Sequence, residues 1–129
     1  MRIRSLDHLV LTVTDIDATV RFYEALGMRR EDFGDGRVAL RFGEQKLNLH
    51  QAGAEVAPHA VQPTPGSADL CFLVSDDLER VAESLERSGI SVELGPVPRT
   101  GATSALSSLY VRDPDGNLVE LSQAVERNG

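Results

Sequence analysis

Several side chains able to bind a metal or move a proton stand inside apolar runs of this sequence. His8 lies in LDHLVLTV, Asn48 and His50 in KLNLH, Asp69 just before LCFLV, and Glu120 in LVEL. Charged groups buried in a cavity are costly unless paired or bound to metal. One imidazole with two carboxylates is a seat for a hard or borderline divalent cation. The expected ligands are His8, Glu120 and Asp69, with His50 as the alternative to Asp69, and the expected ion is iron, manganese, nickel or zinc. Such an ion would act on a small molecule as a Lewis acid. Glu120 or His50 would then move a proton. Asn48, Arg41, Tyr110 and Arg112 complete the expected substrate contacts, since arginines suit a carboxylate, phosphate or enediolate.

Each residue also has a plainer reading. His8 could be a hydrogen-bonded core histidine, and Glu120 a strand carboxylate paired to Arg41 or Arg112. Asp69 could hydrogen-bond a neighbouring strand or loop. Arg41 and Arg112 could form salt bridges with Glu120 or Asp69. His59, between two apolar stretches, reads as exposed.

The elements that must position these groups come from comparing the chain with itself. Residues 8–15, HLVLTVTD, and residues 69–76, DLCFLVSD, are apolar strands closing on Thr/Ser-Asp, 61 positions apart. A helical pattern follows each. Ile16, Val20, Tyr23 and Leu26 fit one helix face, with Asp15 as cap and Gly27 as stop. Leu78, Val81 and Leu85 repeat the pattern, with Gly89 as stop. Residues 47–51, LNLHQ, and 119–123, VELSQ, close the two halves at an offset of 72. Each half reads strand, helix, three strands. The expected strands are 4–14, 28–33, 37–42 and 46–51, then 68–75, 91–94, 105–112 and 117–123. Module one spans 4–52, a proline-bearing linker 53–67, and module two 68–124 of a single domain.

Strand alternation sorts the faces. If Leu9, Leu11 and Val13 pack on the helix, His8 faces the other way. The same parity turns Asn48, His50, Asp69, Cys71, Glu120 and Ser122 away from the helices. The expected fold is α+β: two βαβββ repeats forming an open, cup-shaped eight-stranded sheet with helices outside and a polar floor.

Thirteen basic against twenty acidic residues give a net charge of −7. That disfavours nucleic acid or an anionic membrane as partner, because both are bound by Lys/Arg neutralising phosphate. The start lacks a signal peptide's apolar region, and no run approaches the length of a membrane span, so the cytoplasm is expected. The single cysteine, Cys71, permits no internal disulfide and reads as a small buried apolar residue. Arg99-Thr100-Gly101-Ala102 reads as a rim loop or a lid.

With these residues in place, the chain resembles the vicinal-oxygen-chelate superfamily, which includes glyoxalase I, extradiol dioxygenases and the fosfomycin- and bleomycin-resistance proteins. The carriers are LDHLVLTVTDIDATVRFYEALGM, GSADLCFLV and YVRDPDGNLVEL, together covering about residues 4–123. PTPGSADLCF with PVPRTGA is similar to the glyoxalase-domain-containing subgroup. The resemblance implies metal ligands on the first, fourth, fifth and eighth strands. His8 and Glu120 match in type and place. Asp69 falls where the family usually has histidine, and Asn48 where its isomerases carry glutamate or histidine. His50 lies one strand period further along the same face. These departures weaken a glyoxalase I assignment, and Asp69 also breaks the dioxygenase set of two histidines and a glutamate. The resemblance further implies a homodimer. The alternative it leaves open is a metal-free small-molecule or antibiotic-binding protein of the bleomycin-resistance type. A structural or interaction module ranks last, since it leaves the polar set unexplained.

Overall fold

Each half of the chain opens on a strand whose alternate residues are apolar, and the same order of elements follows. The computed structural model describes residues 1–125. The first half contains β1 (His8–Val13), α1 (Ile16–Ala25), β2 (Arg29–Phe33), β3 (Arg37–Phe42) and β4 (Gln45–Gln51). The second contains β5 (Asp69–Leu73), α2 (Leu78–Arg87), β6 (Leu94–Thr100), β7 (Ala105–Arg112) and β8 (Leu118–Ala124). Met1–Ser67 and Ala68–Gly129 are two compact units. The class is α+β, and the βαβββ repeat is present in both units.

In the first unit the strand order is β1-β4-β3-β2. β1 and β4 run parallel, while β4-β3 and β3-β2 are antiparallel hairpins. A parallel pair needs a crossover connection, which α1 and the β2-β3 hairpin supply. Leu11, Val13, Leu40, Leu47 and Leu49 are buried, as are Val20 and Tyr23 of α1. Asp15 caps α1, its Oδ1 accepting the Ala18 N–H at 3.1 Å. Gly27, at φ 97°, lets the chain leave the helix in a conformation that costs other residues dearly.

The second unit repeats the order as β5-β8-β7-β6, with β5 parallel to β8. Its core holds Leu78, Leu85, Leu109, Val111, Val119 and Leu121. Asp77 makes no side-chain cap to α2. Gln123 on β8 does that work instead, its Oε1 accepting the Leu78 N–H at 3.3 Å. The tight turn at 113–117 is also a clip. Asn117 is buried, donates from Nδ2 to Asp113 Oδ2 at 2.7 Å, and accepts the Ala68 N–H at 2.8 Å. It thereby ties the start of β5 to the end of β7.

Two strand expectations need correction. The first strand begins at His8, not residue 4. The sixth runs Leu94–Thr100 rather than 91–94. Pro96 and Pro98 make that stretch look like a loop, but β6 pairs only with β7 and lies at a sheet edge, where a missing N–H is tolerated. Gly95 is required there: a Cβ would sit 2.4 Å from the Ser108 carbonyl oxygen, at φ 118°.

Leu40 is fully buried at the centre of the first sheet and Leu73 is 68% exposed. Leu40→Ala should therefore lose about 2–5 kcal/mol in urea unfolding. Leu73→Ala should change stability by no more than about 0.5 kcal/mol.

Candidate functional site

The parallel register of β1 and β4 sets His8 beside Lys46, Val10 beside Asn48 and Thr12 beside His50. Across the next hairpin, Ala39 stands beside Asn48 and Arg41 beside Lys46. The side of the sheet away from α1 thus gathers His8, Arg41, Lys46, Asn48 and His50. A cavity of about 340 Å³ opens on this face within the first unit. Its polar lining is His8, Arg37, Lys46, Asn48 and His50, and Phe33 with the segment Val56–Pro58 adds apolar surface.

His50 is 4% exposed and Asn48 5%. The His50 Nε2 lies 3.4 Å from Arg37 Nη2. A guanidinium only donates, so Nε2 accepts and the proton of the neutral ring belongs on Nδ1. That Nδ1 is buried with no hydrogen-bond partner, and so is Asn48 Oδ1. Each unmet buried group costs about 1–3 kcal/mol. Burial holds the His50 imidazole below its usual value of 6.5; Arg37 and His59 add to the effect and Glu55 opposes it.

His8 is exposed at the rim, and its Nδ1 lies 2.8 Å from Asp7 Oδ1. That bond lowers the Asp7 carboxyl below its ordinary range. Arg41 is engaged by Glu31, with Nη2 donating to Oε2 at 3.0 Å. The observed partner is thus neither Glu120 nor Asp69.

In the second unit, Glu120 stands between Cys71 and Tyr110. Its Oε2 accepts the Ser108 hydroxyl at 2.7 Å and the Ser122 hydroxyl at 3.3 Å. Ser108 and Ser122 also meet each other at 2.7 Å, and Cys71 Sγ lies 3.2 Å from Ser122 Oγ. A second cavity, of about 370 Å³, is lined by Cys71, Leu73, Leu106, Glu120 and residues 100–104. Asp69 is exposed at the start of β5. The Tyr110 hydroxyl accepts from Arg99 Nε at 2.8 Å. Arg112 donates to both carboxylate oxygens of Glu93 at 3.1 Å.

Cys71 is exposed rather than buried. β5 is an edge strand whose burial alternates, with Leu70 and Phe72 on the more covered side. The segment expected as a rim loop is half strand: Arg99 and Thr100 belong to β6, and the Gly101 N–H closes the following turn on the Ser104 carbonyl at 2.8 Å.

Within neither unit do the described residues gather three or more His, Cys, Asp or Glu into a metal-holding group. His8 belongs to the first unit, Asp69 and Glu120 to the second. The sequence reading missed Arg37, Phe33 and Val56–Pro58. Arg37 shares the parity of Arg41 and was legible from alternation. The 56–58 segment carries no periodic signal.

The chain matches the profile of the Glyoxalase/Bleomycin resistance protein/Dioxygenase superfamily over residues 5–121. It belongs to that superfamily. It is 55% identical over 126 residues to the virulence protein STM3117 of Salmonella typhimurium, covering 97% of this chain and 88% of the relative. The crystal structure of that protein superposes with a TM-score of 0.95 at 97% and 100% coverage. The glyoxalase domain-containing protein RDO1 of Mycosarcoma maydis is 54% identical over 122 residues, 95% of this chain and 69% of the relative. A protein from the mobile metagenome of V. Pseudocholerae is 54% identical with a TM-score of 0.95, at 98% coverage of both chains. No helix among the described residues is long and apolar enough to cross a membrane.

The depressed His50 value makes a signed pH prediction. The unfolded chain takes up a proton near pH 6.5, while the folded chain resists it. The stability His50 contributes is present above that pH and is lost as pH falls toward the folded value. Thermal midpoints of the native protein should therefore fall more steeply as pH drops below 6.5 than those of His50→Gln. Parallel curves would refute the assignment.

Proposed function

We propose that this superfamily member is a metal-dependent enzyme acting on a small oxygenated molecule, with His8, Asp69 and Glu120 as ligands of a divalent ion. The observation that carries the proposal is the 2.8 Å bond between His8 Nδ1 and Asp7. Metal-binding histidines almost always give their second nitrogen to a carboxylate, carbonyl or water, which fixes the ring and its tautomer. Here that bond leaves His8 Nε2 as the nitrogen able to ligate. Ser108 and Ser122 hold one oxygen of Glu120 in the same manner. The donor set of imidazole and carboxylate therefore fits a borderline divalent cation. When bound, the ion would polarise adjacent substrate oxygens as a Lewis acid.

The chain's own groups divide the remaining roles. Glu120 is the proton acceptor, its carboxylate oriented by two hydroxyls. His50, its Nε2 turned to Arg37, offers a proton-bearing Nδ1 and is a hydrogen-bond donor to substrate. Asn48 Oδ1 accepts from the substrate. Arg41, Tyr110 and Arg112 shape the surroundings through their contacts with Glu31, Arg99 and Glu93.

A second reading is a metal-free binding protein. It is favoured by Asn48, an amide where the superfamily's isomerases carry a ligating side chain, and by Phe33, Val56 and Pro58 around the cavity. Metal analysis of protein purified without chelator separates the two. The enzyme reading expects a bound divalent ion, and Asp7→Asn should weaken its affinity roughly 10–100-fold. Absence of metal, with no uptake of manganese, iron, nickel or zinc, leaves only the binding reading.

We further propose a homodimer, supported by the exposed Val10 and Leu73 on strands of the two sheets. Sedimentation velocity should show a single species of twice the chain mass. A clean monomer would rule this out.

A further inference from the structure

We propose that the cavity of the first unit binds a small hydroxycarboxylate: its anionic end is held by Arg37 and Lys46 beside Phe33, and its hydroxyl by Asn48. This deepens the small-molecule reading above and rests on it.

The charge of the cavity is the first argument. The chain carries a net −7, yet this lining has an arginine, a lysine and two histidines and no carboxylate. The second argument is the contrast with three other arginines on or beside the strands. Arg30, Arg41 and Arg112 are matched to Asp32, Glu31 and Glu93. Arg37 and Lys46 have no ion pair among the described residues. They gather instead on one aromatic ring, Arg37 Cζ at 4.8 Å and Lys46 Nζ at 3.9 Å from the Phe33 centroid. Two cations on one ring face mutual repulsion that an anion between them would offset. Two acids whose charge reaches the lining, Asp7 toward Lys46 and Glu55 toward His50, are committed elsewhere: Asp7 to His8, and Glu55 to the Gly53 N–H at 3.0 Å.

The buried end of the cavity supplies the specificity. His50 Nδ1 and Asn48 Oδ1 are the buried side-chain atoms left without partners among the described residues. The first is a donor, because Nε2 faces a guanidinium; the second is an acceptor. A ligand that satisfies both carries an acceptor and a donor close together. A carboxylate oxygen beside a hydroxyl has that pattern, and the same carboxylate neutralises Arg37. A simple amide would meet the polar pattern and leave both cations unmatched, whereas inorganic phosphate would supply the charge and little apolar surface for Phe33 and Val56.

The test is calorimetric titration of the full-length protein, as purified and after chelator treatment, with four probes: mandelate, phenylacetate, mandelamide and inorganic phosphate. Mandelate is expected to bind most tightly, phenylacetate more weakly for lack of a hydroxyl, and neutral mandelamide weakest of the organic probes. Arg37→Gln should weaken mandelate about tenfold, the scale of one lost charge-assisted hydrogen bond. Lys46→Gln should weaken it in the same direction and decides the matter if the first variant does not fold. Arg30→Gln, whose partner is Asp32, should leave binding unchanged. Equal binding of mandelate and mandelamide, phosphate preferred to mandelate, or indifference to both cation variants would overturn the proposal. A protein that purifies without metal, takes none up and still binds mandelate would sink the enzyme reading and leave this one standing.

Discussion

Parallel pairing of the first strand with the last, in both units, is the constraint from which the rest follows. It forces the chain across one face of the sheet as a helix, so that face must be apolar and the other is free to be polar. It also fixes neighbours at single-residue precision: His8 with Lys46, Asn48 with Val10, Glu120 with Cys71. A slip of one residue would carry Leu47 and Leu49 out of the core and bury Lys46 beneath α1. The cavity chemistry is therefore protected by the same packing that stabilises the fold.

The two units use one topology to opposite electrostatic ends. In the first, the open face presents cations and two unmet polar atoms. In the second, it presents a carboxylate whose oxygen is already held by two serine hydroxyls. Order is thus nearly complete around Glu120, whose carboxylate is held by its neighbours. Around His50 it is incomplete, since His50 Nδ1 and Asn48 Oδ1 have no partner among the described residues. The repeated topology supplies one scaffold twice, and different residues at matching strand positions give the two faces different charge.

The strands flanking each repeat were legible because their alternation is strong: Leu9, Leu11 and Val13 against His8, Val10 and Thr12. The helices were legible from Asp15 and the stop glycines, Gly27 and Gly89. β6 was obscured because Pro96 and Pro98 carry the signature of a loop, and only its edge position makes them acceptable. Cys71 was misjudged because an apolar run was read as buried throughout, whereas an edge strand covers one side more than the other. Alternation placed His8, Asn48, His50 and Glu120 on the helix-free faces. It could not supply the salt-bridge partners of Arg41 and Arg112, since those lie on β2 and beside β6, where the pattern is charged or irregular. Nor did it reveal that Val56–Pro58 folds back over the first sheet, because extended proline-bearing chain has no periodicity to read.

The outer strands carry a consequence for how the protein keeps apart from its neighbours. β2 reads Arg29-Arg30-Glu31-Asp32, a stripe of alternating sign blocks, and β6 contains Pro96 and Pro98. A sheet edge with free N–H and C=O groups invites another chain to add a strand, and charge and proline are the usual deterrents. At β2 and β6, each sheet therefore ends in a guarded border. Along those two borders, contact with a neighbouring chain is left to side chains rather than to backbone pairing.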